Sequence, residues 1–224
     1  MARLILPLIF GLLGTAVLVG LGLWQVQRLD WKEAILADIE ARIVAAPVAL
    51  PAAPDAQMDR YLPVSVTGVL LEPAIRVLVS QKQVGAGYRI IRPLEVDGRR
   101  VMVDLGFLPV QAAQPEAGAA PVTVLGNLHW PDEVDSYTPE PDLGADIWFA
   151  RDLPRMAAYL DTEPVLVVAR QTDLPDTALR PLPVDTSGIP NDHLGYAVTW
   201  FGLAIVWVVM TGFLLWRMRK PVKG

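Results

Sequence analysis

Cysteine is absent from this 224-residue sequence, which excludes disulfides, a thiolate nucleophile and any Cys-ligated metal centre. Histidine is scarce: His129 and His193 are the only two. Copper handling asks for clustered His, Met or Cys, and no such cluster is present. A trio of His193, Asp185 and Ser187 can be assembled on paper for hydrolysis, but no nucleophile elbow or comparable spacing supports it. A Gly-rich phosphate loop is also missing. Gly85-Ala86-Gly87 stands alone before a strand-like run, where a turn accounts for it. His129, in GNLHWPDE, reads as an exposed or capping loop histidine before a proline turn. Acidic residues are missing from both ends, since all 24 lie between Asp30 and Asp192.

Two long runs carry no charge at all. Residues 4–24 and 196–216 are each an uncharged 21-residue stretch. At about 1.5 Å per residue, each helix would span about 30 Å, the thickness of a bilayer's hydrocarbon core. The first run exceeds a signal-peptide h-region and is followed by Trp24, Gln25 and Arg28 rather than a small-residue cleavage site, so it reads as a retained anchor. Trp24, Trp31 and Trp216 sit where interfacial aromatic belts occur. Gly11, Gly14, Gly20 and Gly22 would let a second helix approach closely.

Charge sets the expected orientation. Arg3, Arg217, Arg219, Lys220 and Lys223 lie outside the anchors, giving the ends +5. The middle holds the other 14 basic residues against 24 acidic ones, a net −10. Basic flanks stay in the cytoplasm. The expected organisation is therefore a cytoplasmic start (1–3), a first membrane helix (4–26), an extracytoplasmic domain (27–190), a second membrane helix with an interfacial start (191–216) and a basic cytoplasmic tail (217–224). No Arg- and Ser-rich transit segment precedes the first run, which favours a bacterial inner membrane and a periplasmic domain. The acidic domain argues against nucleic acid as a partner and leaves membrane lipid as an obvious one.

Between the anchors the hydrophobic period changes. Trp31, Ile35, Ile39 and Ile43 form a helical stripe over 30–44, ended by the proline-rich stretch 47–54. Strand-like runs follow at 62–71, 75–81, 88–96, 100–107, 122–128 and 165–170. Asp97-Gly98 reads as a two-residue hairpin turn. Residues 152–159 suggest a short helix capped by Asp152, with Pro154 in its first turn. The expected fold class is an α+β membrane protein whose two transmembrane helices flank a mainly antiparallel, β-rich domain, open or barrel-like in form.

His193 differs from His129. If a helix begins near Asn191 or Asp192, His193, Tyr196 and Trp200 fall at i, i+3 and i+7 and share one face. One imidazole and two aromatics at a membrane boundary could ligate haem iron and cover its ring, or simply form part of an aromatic belt.

The chain resembles the SURF1 (Shy1) family of cytochrome c oxidase assembly factors. The similarity runs through Leu21-Gly22-Leu23-Trp24-Gln25 with Arg28 and Trp31-Lys32, then Arg60-Tyr61 with Val64, Val66 and Gly68. It continues through Gly87-Tyr88 with Arg92-Pro93-Leu94, and Trp148-Phe149 with Asp152 and Met156-Ala157. The most specific block is Pro190-Asn191-Asp192-His193-Leu194-Gly195-Tyr196-Ala197-Val198-Thr199-Trp200-Phe201-Gly202-Leu203-Ala204. One departure is Leu105-Gly106-Phe107, where the family commonly has Arg-Gly-Trp, so any contact made by that arginine is missing. The resemblance implies a non-enzyme that binds haem a transiently, with His193 as iron ligand and metal-binding residue. Tyr196, Trp200, Trp24 and Arg28 would complete the cofactor site, Arg28 as partner of a propionate. It also implies haem a synthase as donor and oxidase subunit I as acceptor. A cofactor-free scaffold for subunit I is the alternative, and a membrane-anchored sensor is a weaker one.

Overall fold

The structure, a computed structural model, describes residues 2–82, 84–175 and 178–219. Lys220 and Lys223 of the expected basic tail lie outside the described residues. The chain forms two compact units: residues 1–38 with 186–224, and residues 39–185.

The first unit is helical. It contains most of α1 (Ala2–Ile43) and all of α3 (His193–Arg219). Both helices are long and apolar enough to cross a membrane. The sequence suggested an anchor followed by a separate amphipathic helix, yet α1 runs unbroken through both. Nothing between Pro7 and Ile43 breaks it: the next proline is Pro47, and residues 23–43 contain no glycine.

The second unit is built on a seven-stranded sheet. Its strands are β1 (Pro63–Leu70), β2 (Ile75–Gln81), β3 (Gly85–Val96), β4 (Arg99–Pro109), β5 (Val122–His129), β6 (Ile147–Trp148) and β7 (Leu166–Thr172), in spatial order β1-β5-β7-β4-β3-β2-β6. The β3–β4 turn fits its sequence: Asp97 and Gly98 both take positive φ, 50° and 76°, as a tight I′-type hairpin requires.

The barrel-like option does not hold. The sheet is mixed and not a closed barrel. β7 enters between β5 and β4 and runs parallel to β4, while β6 adds parallel to β2 at the far edge. β1 meets β3 over only Val69↔Glu95 and Leu70↔Leu94 after leaving β5 at Gly68. Gly68 permits that change of partner, since a Cβ there would lie 2.2 Å from the Glu95 carbonyl oxygen. The sheet curls without sealing.

Period-two alternation divides the strands between two cores. Val101, Val103, Val167 and Ala169 join one with Val64, Val66, Leu94 and Leu128. Met102, Leu166 and Val168 join the other with Ile75, Ile91 and Trp148. The helix α2 (Leu153–Leu160) covers this second core with Leu153, Met156, Ala157 and Leu160. Asp152 caps α2 through a bond from Arg155 N, and Pro154 sits in its first turn. At the other end of the unit, the Ile43 carbonyl closing α1 accepts from Asn127 Nδ2 at 2.9 Å and Arg170 Nη1 at 3.3 Å, supplying partners a helix end lacks.

Candidate functional site at the His193 end of the helix pair

Helices α1 and α3 pack antiparallel, and glycine sets how closely. A Cβ on Gly22 would lie 2.7 Å from the Phe201 ring, on Gly14 2.4 Å from Trp207, and on Gly11 2.2 Å from Thr211. Gly20, also expected to face α3, has open space beside it. On α3, Ala197 and Ala204 are buried one heptad apart. Small residues on both helices thus allow the close approach that lipid-exposed helices need in order to associate. Trp207 Nε1–H donates to the Gly11 carbonyl at 3.1 Å, which ties the pair together deep in the apolar stretch.

His193 is the first residue of α3, and Tyr196 N–H donates to the Asp192 carbonyl at 3.2 Å to open the helix. The imidazole is half-buried. Its Nδ1 meets Gln25 Oε1 at 2.8 Å, and Gln25 is 8% exposed. In the tautomer that donates from Nδ1 to this carbonyl oxygen, Nε2 keeps its lone pair. An oxygen that accepts from the other ring nitrogen fixes the orientation of a metal-binding histidine in this way.

The remaining expected site residues are placed as follows. Tyr196 is exposed and Trp200 half-buried, three and seven positions beyond His193 on α3. Trp24, next to Gln25 on α1, is exposed. The Arg28 guanidinium lies 3.9 Å above the Trp31 ring of its own helix. No hydrogen bond or ring contact joins Arg28 or Trp24 to His193 among the described residues. An apolar groove of about 350 Å³ opens beside Phe201, between Thr15 and Val19 of α1 and Ala204 and Val208 of α3. Gln25 is the residue that the sequence did not single out. Its signal is an amide at the end of an apolar run, which needs a partner once buried.

Gln25 meets the His193 nitrogen that the carboxylate of the paper trio would have to orient. His129 departs from its reading as an exposed loop histidine. It ends a strand as expected, β5, but stacks on Tyr61 at 5.7 Å between ring centroids, and its Nδ1 is buried without a partner among the described residues. Burial, with the charges of Arg151 and Arg60, pushes its pKa down to about 4, so the ring is neutral. Beside it lies a buried ionic cluster. Fully buried Asp104 accepts from Arg89 and from Gly106 N at 3.0 Å, and lies 3.5 Å from Arg151 Nη1. Glu133 also pairs with Arg151. Among the described residues no three His, Asp or Glu side chains gather as a metal site.

A model of the SURF1 family matches residues 12–205. The chain belongs to the SURF1 family. That span includes Trp24, Gln25, Arg28, His193, Tyr196 and Trp200, and ends within α3. Relatives include human "Surfeit locus protein 1", 29% identical over 211 aligned residues that cover 83% of this chain and 69% of that protein. The "SURF1-like protein" of Drosophila melanogaster is 32% identical, covering 93% and 76%. A Rickettsia felis "SURF1-like protein" is 27% identical, covering 87% and 90%, so the similarity to bacterial SURF1 relatives also runs nearly end to end.

Proposed function

We propose that this SURF1-family protein is a non-enzymatic assembly factor for cytochrome c oxidase. In this reading it binds haem a through His193 and assists delivery to oxidase subunit I from the membrane-bound haem a synthase. The setting is a bacterial inner membrane with both termini in the cytoplasm and the sheet domain in the periplasm, as the charge distribution favours.

The observation that carries this reading is the Gln25–His193 contact at 2.8 Å, which engages Nδ1 and leaves Nε2 as the nitrogen open to a ligand. The surroundings fit the group. Tyr196 and Trp200 share the histidine's face, and the groove at Phe201 offers apolar wall for a hydrophobic tail. Transfer of such a molecule through water would cost about 25 cal/mol per Å² of apolar area exposed, so a lipid-level site lowers the barrier to hand-over. Arg28, held over Trp31, offers a guanidinium for a propionate. Haem itself supplies redox chemistry at iron, which belongs to the acceptor; this chain's residues bind, shield and release it.

The test is the absorption spectrum of detergent-purified protein co-expressed with haem a synthase. Wild type should show bound haem a, and His193→Ala should lose it. The same Gln25–His193 bond also favours a second reading, since it would serve to zip the helix pair in a cofactor-free scaffold for subunit I. That reading predicts no haem spectrum in wild type and oxidase association that survives His193→Ala.

A further inference from the structure

The end of the helix pair remote from His193 holds a larger groove, of about 660 Å³, between Pro7 and Phe10 of α1 and Trp207, Phe213 and Leu214 of α3, with Arg217 at its rim. We propose that this groove binds one anionic phospholipid, its acyl chain against the rings and its phosphate on Arg217.

The walls are fixed in place. Trp207 is anchored by its bond to the Gly11 carbonyl, and Phe10 packs on it at 5.3 Å between centroids with a 54° tilt. Gly11 admits Thr211 against its own backbone, which draws the helices together there. The groove's length suits a lipid. From Trp207 to Arg217 the helix rises about 15 Å, half of a hydrocarbon core about 30 Å thick, which is the depth of one leaflet. A third transmembrane helix would need a seam twice as long.

Charge identifies the headgroup. No acidic residue precedes Asp30 or follows Asp192 in the sequence. Among the described residues no ion pair joins Arg217 to a carboxylate, and a membrane's phosphodiester is the matching anion. Basic pockets between transmembrane helices take anionic headgroups in this way. The inference is independent of haem.

The test uses the full chain in nanodiscs holding equal phosphatidylglycerol and phosphatidylethanolamine. The protein is then extracted into mild detergent and weighed by native mass spectrometry. Wild type should retain one lipid per chain, with phosphatidylglycerol favoured about fivefold, the preference expected from one arginine near the surface. Arg217→Gln should erase the preference while retaining lipid. Met210→Trp, which fills the groove, should abolish retention of both lipids, and Arg219→Gln, outside the groove, should match wild type. Helix content by circular dichroism checks that each variant folds. The proposal is overturned if wild type carries the two lipids equally, if Arg217→Gln keeps the preference, if Met210→Trp retains lipid, or if the mass is that of two lipid-free chains.

Discussion

Asp104→Asn removes one negative charge from the centre of the sheet domain. Asp104 is fully buried, and its carboxylate accepts from Arg89 and Gly106 N. Arg151 keeps Glu133 after the change, so the cost falls mainly on Arg89, whose other contacts are two 3.4 Å bonds to the Leu182 carbonyl. Breaking a buried pair and stranding one charge costs about 3–5 kcal/mol. The Arg89 side chain retains 16% of its exposure, which favours the low end, about 3 kcal/mol. For a domain of this size that is a drop of roughly 6–12 °C in Tm. Unfolding of the full chain in detergent, followed by tryptophan fluorescence to which buried Trp148 contributes, reads it. Adding Arg89→Met should return part of the loss, because the stranded charge is removed with it. A single-variant loss below about 1 kcal/mol, or a double variant costing the sum of both singles, would mean that Asp104 and Arg89 are not coupled as a buried pair.

Two further outcomes follow from the geometry. Because folding lowers the His129 pKa from 6.5 to about 4, the unfolded chain binds more protons between those values, so domain stability should fall as pH drops from 6.5 towards 4. That loss is on the order of 3 kcal/mol across the window, and His129→Gln should remove most of it in Tm measured against pH. Glu133, raised by burial but lowered overall by the hydrogen bonds from Arg151 together with the charges of Arg151 and Arg89, adds a loss only below its ordinary 4.5. At the other site, Gln25→Leu frees Nδ1 and should weaken haem a binding about 10–100-fold in a spectral titration, with helix content unchanged.

Much of the architecture is legible before any coordinates. Charge-free length marks both membrane-competent helices, β-branched runs locate the long strands, and Asp97-Gly98 marks its hairpin. What escapes the sequence is pairing at a distance. β6 is two residues long and exists because Arg76 and Val77 offer it an edge, so no periodicity announces it. The parallel β4–β7 contact, which keeps the sheet from reading as a simple meander, depends on where α2 returns the chain. Asp104 sits in a run, VMVDLGF, that looks like an ordinary strand; only the fold brings Arg89 and Arg151 to it. The candidate site divides in the same way. His193, Tyr196 and Trp200 follow from helical spacing, whereas Gln25 lies 168 positions away from its partner and acquires meaning only when the glycine-lined helices meet.

Whether His193 Nε2 ligates haem iron, as proposed, is read by replacing its imidazole with a free one. His193→Gly, purified with a haem a source, should lack the haem a spectrum and regain it when imidazole is added, since an iron ligand can be supplied in trans. If imidazole restores nothing while wild type binds haem, or if His193→Gly holds haem unaided, the histidine is not the ligand.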